Sequence, residues 1–80
     1  MTKLEKIREA VEKALEDFSP NNVDIIVEDG EDDEQEAFVS IMYHSRHNSF
    51  PIIDYVCNAE GLTDRDIERI ADEYDIGWVW

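Results

Sequence analysis

Apolar residues recur through the first eighteen positions at three- and four-residue steps: Leu4, Ile7, Val11, Ala14 or Leu15, and Phe18. This spacing puts them on one stripe of an α-helix over residues 3–18, and Thr2-x-x-Glu5 ahead of the stripe has the form of a capping box. The other face mixes signs, with Glu9 and Lys13 in the favourable i to i+4 order, worth ~0.3 kcal/mol at a surface. Ser19-Pro20-Asn21-Asn22 stops the helix, because Pro20 disfavours helical geometry at Ser19 and the two asparagines suit a turn.

After Asn22 the hydrophobic period falls to two. Val23, Ile25 and Val27 share one face of a strand, and Ala37, Val39, Ile41 and Tyr43 repeat the alternation further on. The two runs form a β-hairpin whose loop is Glu28-Asp29-Gly30-Glu31-Asp32-Asp33-Glu34-Gln35-Glu36, with Asp29-Gly30 supplying turn chemistry. Ile26, Phe38 and Met42 fall on the second face, so a sheet at least partly covered on both sides is expected.

Past the polar connection 44–49 the pattern has two readings. Residues 50–57 are rich in β-branched side chains, yet Ser49 as a cap, Pro51 in a first turn and Gly61-Leu62 as a left-handed stop describe a short helix. The helix is the preferred expectation, and a strand pairing with residues 37–43 is its alternative. Thr63-x-x-Asp66 opens a further helix with Ile67, Ile70, Ala71 and Tyr74 along one stripe. Ile76-Gly77-Trp78-Val79-Trp80 closes the sequence as a short strand with both indoles on one face.

The elements add up to an α+β fold in a single domain over residues 1–80: an N-terminal amphipathic helix, an antiparallel β-hairpin with an acidic loop, two short C-terminal helices and a short final strand. The alternative order is α-β-β-β-α-β. A chain of 80 residues buries little more than the ~60% of unfolded-chain surface expected near 60 residues, so modest stability is expected.

Charge changes the picture from fold to partner. Twenty-one acids against seven bases give a formal charge of −14, but the 42% of apolar residues falls in periodic runs, which acidic disordered tails lack. The first thirteen residues are nearly neutral; beyond them the only cations are Arg46, Arg65 and Arg69. The acids concentrate in two places. Seven of the nine residues 28–36 are carboxylates, namely Glu28, Asp29, Glu31, Asp32, Asp33, Glu34 and Glu36. On the helix after Thr63, Asp64, Glu68, Asp72 and Asp75 follow at steps of four, four and three, a row roughly 6 Å apart along the axis. Adaptation to a salt-rich cytoplasm would also leave few lysines, but it would spread the acids evenly.

Other chemistry finds little support. The acidic loop is no EF-hand, because Gly30 is misplaced and no bidentate glutamate follows at the required spacing. His44, His47, Asp54 and Cys57 have ligand chemistry for zinc but none of the doubled spacing of a structural site, and the two histidines suit a surface. A Cys-His nucleophilic pair lacks an elbow or an orienting motif, and no glycine loop could cradle phosphate. No enzymatic activity, metal or cofactor is expected. A lone cysteine suits a reducing compartment, and with no apolar run of about 18 residues and no cationic leader a cytoplasmic location follows.

A field of this sign repels nucleic acid and anionic membranes and favours a cationic partner. The expected function is a small acidic inhibitor that binds the cationic nucleic-acid-binding surface of another protein by presenting carboxylates where phosphates belong, as anti-CRISPR or anti-restriction inhibitors do. The acidic loop and the Asp64–Asp75 row carry it, with Trp78 or Trp80 as an aromatic anchor where it is not core. The alternative is an immunity- or adaptor-type module that recognises a basic protein through Tyr and Trp anchors with the acids as rim.

Overall fold

Each helix start is written locally and each strand is sorted by parity. In the computed structural model, which describes residues 1–30 and 36–80, the Thr2 side chain accepts a hydrogen bond from the Glu5 N–H and opens α1 (Lys3–Leu15). The helix is three residues shorter than the periodicity suggests. Glu16 closes it, and the Phe18 N–H still donates to the Ala14 carbonyl at 3.0 Å in a final turn. A 3-10 turn at Pro20–Asn22 then leads into β1 (Val23–Glu28), followed by β2 (Phe38–His44), β3 (Ser49–Asn58), α2 (Asp64–Tyr74) and β4 (Gly77–Val79).

The expected hairpin forms. β1 and β2 are antiparallel, with Val23 opposite Tyr43, Ile25 opposite Ile41 and Val27 opposite Val39. Its acidic tip lies outside the described residues.

The helix expected over residues 50–57 is overturned: these residues belong to β3, antiparallel to β2, so the α-β-β-β-α-β order holds. Had the segment coiled, the outer edge of β2 would have kept its N–H and C=O groups unpaired, and Ile52, Ile53 and Val56 suit a pleated surface better than a helix. Pro51 is tolerated because β3 is an edge strand, where a missing N–H breaks no second ladder. The pairing slips between Val39 and Ile41 and again between Ile41 and Met42, and such irregularities also blunt an exposed edge. Gly61 does take a positive φ of 83°, as its sequence context suggested, but within a turn in which the Leu62 N–H donates to the Ala59 carbonyl at 3.0 Å. A positive φ at the third residue is what a type II turn asks of glycine.

The four strands lie in the order β3-β2-β1-β4, with β4 parallel to β1. The core is on one side. Ile7, Ala10, Val11 and Ala14 of α1 and Ile67, Ile70 and Ala71 of α2 pack on Val23, Ile25, Val27, Val39, Ile41 and Cys57. Phe18, Tyr43 and Phe50 close one end of this layer with ring centroids 4.7–6.0 Å apart. Ile26, Phe38 and Met42 take no part in that cluster. Among the described residues neither helix packs on their side of the sheet, yet Ile26, Phe38 and Met42 are only partly exposed and Ser40 between them is buried, in line with the expected partial cover.

Candidate functional site

α2 is capped at both ends and braced at its last turn. Thr63 and Asp66 form a complete capping box: the Thr63 side chain accepts from the Asp66 N–H, and the Asp66 carboxylate accepts from the Thr63 N–H at 3.0 Å. At the other end Asp75 adopts a left-handed backbone with φ 56°, while the Ile76 N–H donates to the Ala71 carbonyl at 3.0 Å, a Schellman closure with aspartate in the position glycine usually takes. Two side-chain contacts brace α2 against α1. Arg8 grips Glu73 through two nitrogens at 2.8 and 3.0 Å, and the Tyr74 hydroxyl donates to Glu12 at 2.8 Å. The Arg8 hydrogen bonds hold the Glu73 carboxyl below its ordinary value. Desolvation, and then the hydrogen bond to Glu12, push the Tyr74 phenol up.

On this rigid helix Asp64, Glu68 and Asp72 are all exposed. The expected four-residue row is shortened, because Asp75, though exposed, sits past the last helical turn in the left-handed position. Its cations lie alongside, as three- and four-residue spacing requires, and Arg65, Glu68, Arg69, Asp72 and Glu73 line one shallow groove. The row is a mixed surface with acid in excess.

The loop flanks Glu28, Asp29 and Glu36 are exposed as well, whereas Glu31, Asp32, Asp33 and Glu34 lie outside the described residues. Pairing places these flanks relative to α2. Glu28 pairs with Phe38, Phe38 pairs with Asn58, and Lys3 at the start of α1 donates to the Asn58 side chain and to the Glu60 carbonyl. The acidic loop therefore leaves the end of the sheet at which both helices begin, and the α2 row starts near that end and runs away from it. Val79 pairs with Ile26, so Trp80 also points toward the acidic end.

The two tryptophans divide as one reading allowed. Trp78 is partly buried against the core, and Trp80 is 46% exposed. Both line a shallow groove with Leu62, Thr63 and Asp64.

The zinc and nucleophile candidates are dispersed. Cys57 is buried on the helix-covered face, and burial pushes its thiol up despite Lys3 and Lys6. His44 lies on the other face, where its Nε2 is 3.1 Å from an Asp24 carboxylate oxygen. Cys57 pairs with Val39, five residues along β2 from His44, a separation of roughly 17 Å at strand rise. No group of three His, Cys, Asp or Glu residues among the described ones is arranged to hold a metal ion, and no described helix is long and apolar enough to cross a membrane.

Pattern reading missed the Asp24–His44 pair, the Arg8–Glu73 brace and the fact that neither described helix packs on one face of the sheet. The first two join residues 20 and 65 positions apart in sequence, with no local signal to announce them. The third does not follow from the alternation of Ile26, Phe38 and Met42, which marks a second apolar face without saying which face the helices take. No protein-family model, curated protein or solved structure matches this chain.

Proposed function

We propose that this protein is a small acidic inhibitor that occupies the cationic nucleic-acid-binding surface of a partner protein, its carboxylates standing in for phosphates. One observation supports this reading above the others: Asp64, Glu68 and Asp72 are exposed on a helix capped at both ends and cross-braced to α1. Carboxylates carried on an ordered helix backbone lose only side-chain freedom on binding, whereas a loop that must be ordered first also loses backbone entropy. The loop flanks Glu28, Asp29 and Glu36 leave the end of the sheet at which that helix starts, so helix and loop together offer an acidic path. Neutralising several lysines or arginines would reproduce the electrostatic contribution that dominates nucleic-acid affinity.

Capture of basic proteins from cell extract on the immobilised protein, followed by elution with duplex DNA, tests this. The captured protein is expected to leave with DNA and to lose affinity steeply with salt. Retention in excess DNA, or unchanged binding by the Asp64→Asn/Glu68→Gln/Asp72→Asn variant, overturns it.

The groove of Leu62, Asp64, Trp78 and Trp80 favours one further reading: a module that recognises a basic protein through an aromatic anchor with the acids as rim. In that case Trp80→Ala costs ~2 kcal/mol or more of binding, and the acids change chiefly the association rate.

A further inference from the structure

The face of the sheet turned away from the helices carries an apolar band across all four strands: Ile26 on β1, Phe38 and Met42 on β2, Tyr55 on β3 and Val79 on β4. Register places Ile26, Met42 and Val79 on this side with Asp24 and Ser40, and the Phe38 and Tyr55 rings stack with centroids 5.7 Å apart. Tyr55 is 58% and Val79 56% exposed, while Ser40 at the centre is buried with its hydroxyl on the Ile26 carbonyl. Ile26, Phe38 and Met42 between Tyr55 and Val79 are partly exposed, and four strands give the band a width of roughly 15 Å.

Its charge limits the occupant. No strand contributes a lysine or an arginine, and the one basic side chain on this face, His44, is held by Asp24. Glu28 stands beside Phe38 at the end where the acidic loop departs. A second copy would bring another −14 against this one, and like charges at that density oppose association. Single-stranded nucleic acid stacks on aromatic sheet faces in other proteins, but it needs a cationic groove that these strands lack.

We propose that the open face docks an amphipathic basic segment of a partner protein, its apolar side on Ile26, Phe38, Met42, Tyr55 and Val79 and its lysines or arginines toward the exposed Glu28, Asp29 and Glu36. The proposal rests on the reading of a basic partner, but it uses the side of the sheet opposite α2. The two surfaces can therefore be broken separately.

The test uses the full chain in about 0.15 M salt and three probes: a leucine-lysine amphipathic peptide of about 18 residues, an oligolysine of equal charge, and oligothymidylate. The amphipathic peptide is expected to bind at least about tenfold more tightly than oligolysine and to shift the NMR signals of Phe38, Met42, Tyr55 and Val79. Tyr55→Ser/Val79→Ser, at two exposed positions, should lose most of that advantage, while Asp64→Asn/Glu68→Gln/Asp72→Asn keeps it. Equal binding of the two peptides, shifts confined to acidic residues, displacement by oligothymidylate, or a dimer in sedimentation that shields this face would overturn the proposal. Failure of both peptides to bind would instead remove the cationic-partner reading beneath it.

Discussion

The two faces of the sheet are made from the same strands and differ by one residue of register. On β1, Val23, Ile25 and Val27 are 0–7% exposed under the helices, while Asp24, Ile26 and Glu28 between them stay at least partly open. On β2, Val39 and Ile41 are fully buried, and Phe38 and Met42 are not. Apolar character therefore does not separate the two sides, since Ile26 is as hydrophobic as Ile25. What separates them is the position of α1 and α2, and a side chain without a helix above it contributes less to stability and remains available to a partner.

The largest expected effect breaks the covered face. Ile25→Ala should cost ~3–4 kcal/mol in urea denaturation, from lost burial plus the cavity left behind, a large part of the 5–15 kcal/mol typical of a whole domain. Met42→Ala, on the neighbouring strand and the other face of the sheet, should cost less, ~1–2 kcal/mol, because Met42 is only partly buried and leaves no closed cavity. Equal costs would mean that the open face is covered after all.

A smaller effect probes the polar end of the open face. A Cβ on Gly77 would run into the Asp24 carboxylate, which lies 3.1 Å from the His44 Nε2. Gly77→Ala should cost ~1–2 kcal/mol. The cost should shrink in the Asp24→Ala background, a coupling that a double-mutant cycle measures directly; additive costs would show that the carboxylate is not the obstacle.

The covered side also holds a thiol whose burial resists ionisation. Cys57 should react with iodoacetamide at mildly alkaline pH only about as fast as the protein opens, and at the rate of a free thiol once urea is added. Rapid labelling of the native protein would mean that the edge under β3 is open.

The smallest effect is the pH dependence of the brace between the helices. Glu73 titrates lower in the folded chain because Arg8 donates to it. Its contribution is present above the unfolded carboxyl value and is lost as pH falls through the depressed folded one. Glu73→Gln should lower the urea midpoint slightly at neutral pH and not at all in strong acid, the pair being exposed and screened. Protonation of the other acids relieves self-repulsion and acts oppositely, so the difference between variant and parent carries the information.

Much of this architecture is local chemistry and was legible as such. The caps at Thr2 and Thr63, the α1 and α2 stripes and the strands of the 23–43 hairpin each depend on residues within a few positions of one another. Residues 49–58 were misread because their caps and their β-branched content point to different elements, and the choice fell to a distant partner, the free edge of β2. The candidate site divides the same way. The exposure of Asp64, Glu68 and Asp72 and the place of Arg65 and Arg69 beside them follow from the helical period, but the left-handed turn at Asp75 depends on how the helix ends.

By itself, the sequence determined which positions are apolar, where both helices begin and where charge accumulates, because periodicity, capping and Coulomb repulsion act over one or two turns. Only the tertiary structure decided that both helices cover the same face, that β4 runs parallel beside β1, and that Ile26, Phe38, Met42, Tyr55 and Val79 are left facing outward. Those outcomes are set by contacts between residues tens of positions apart, and alternation along a strand says that two faces exist without saying which one will be covered.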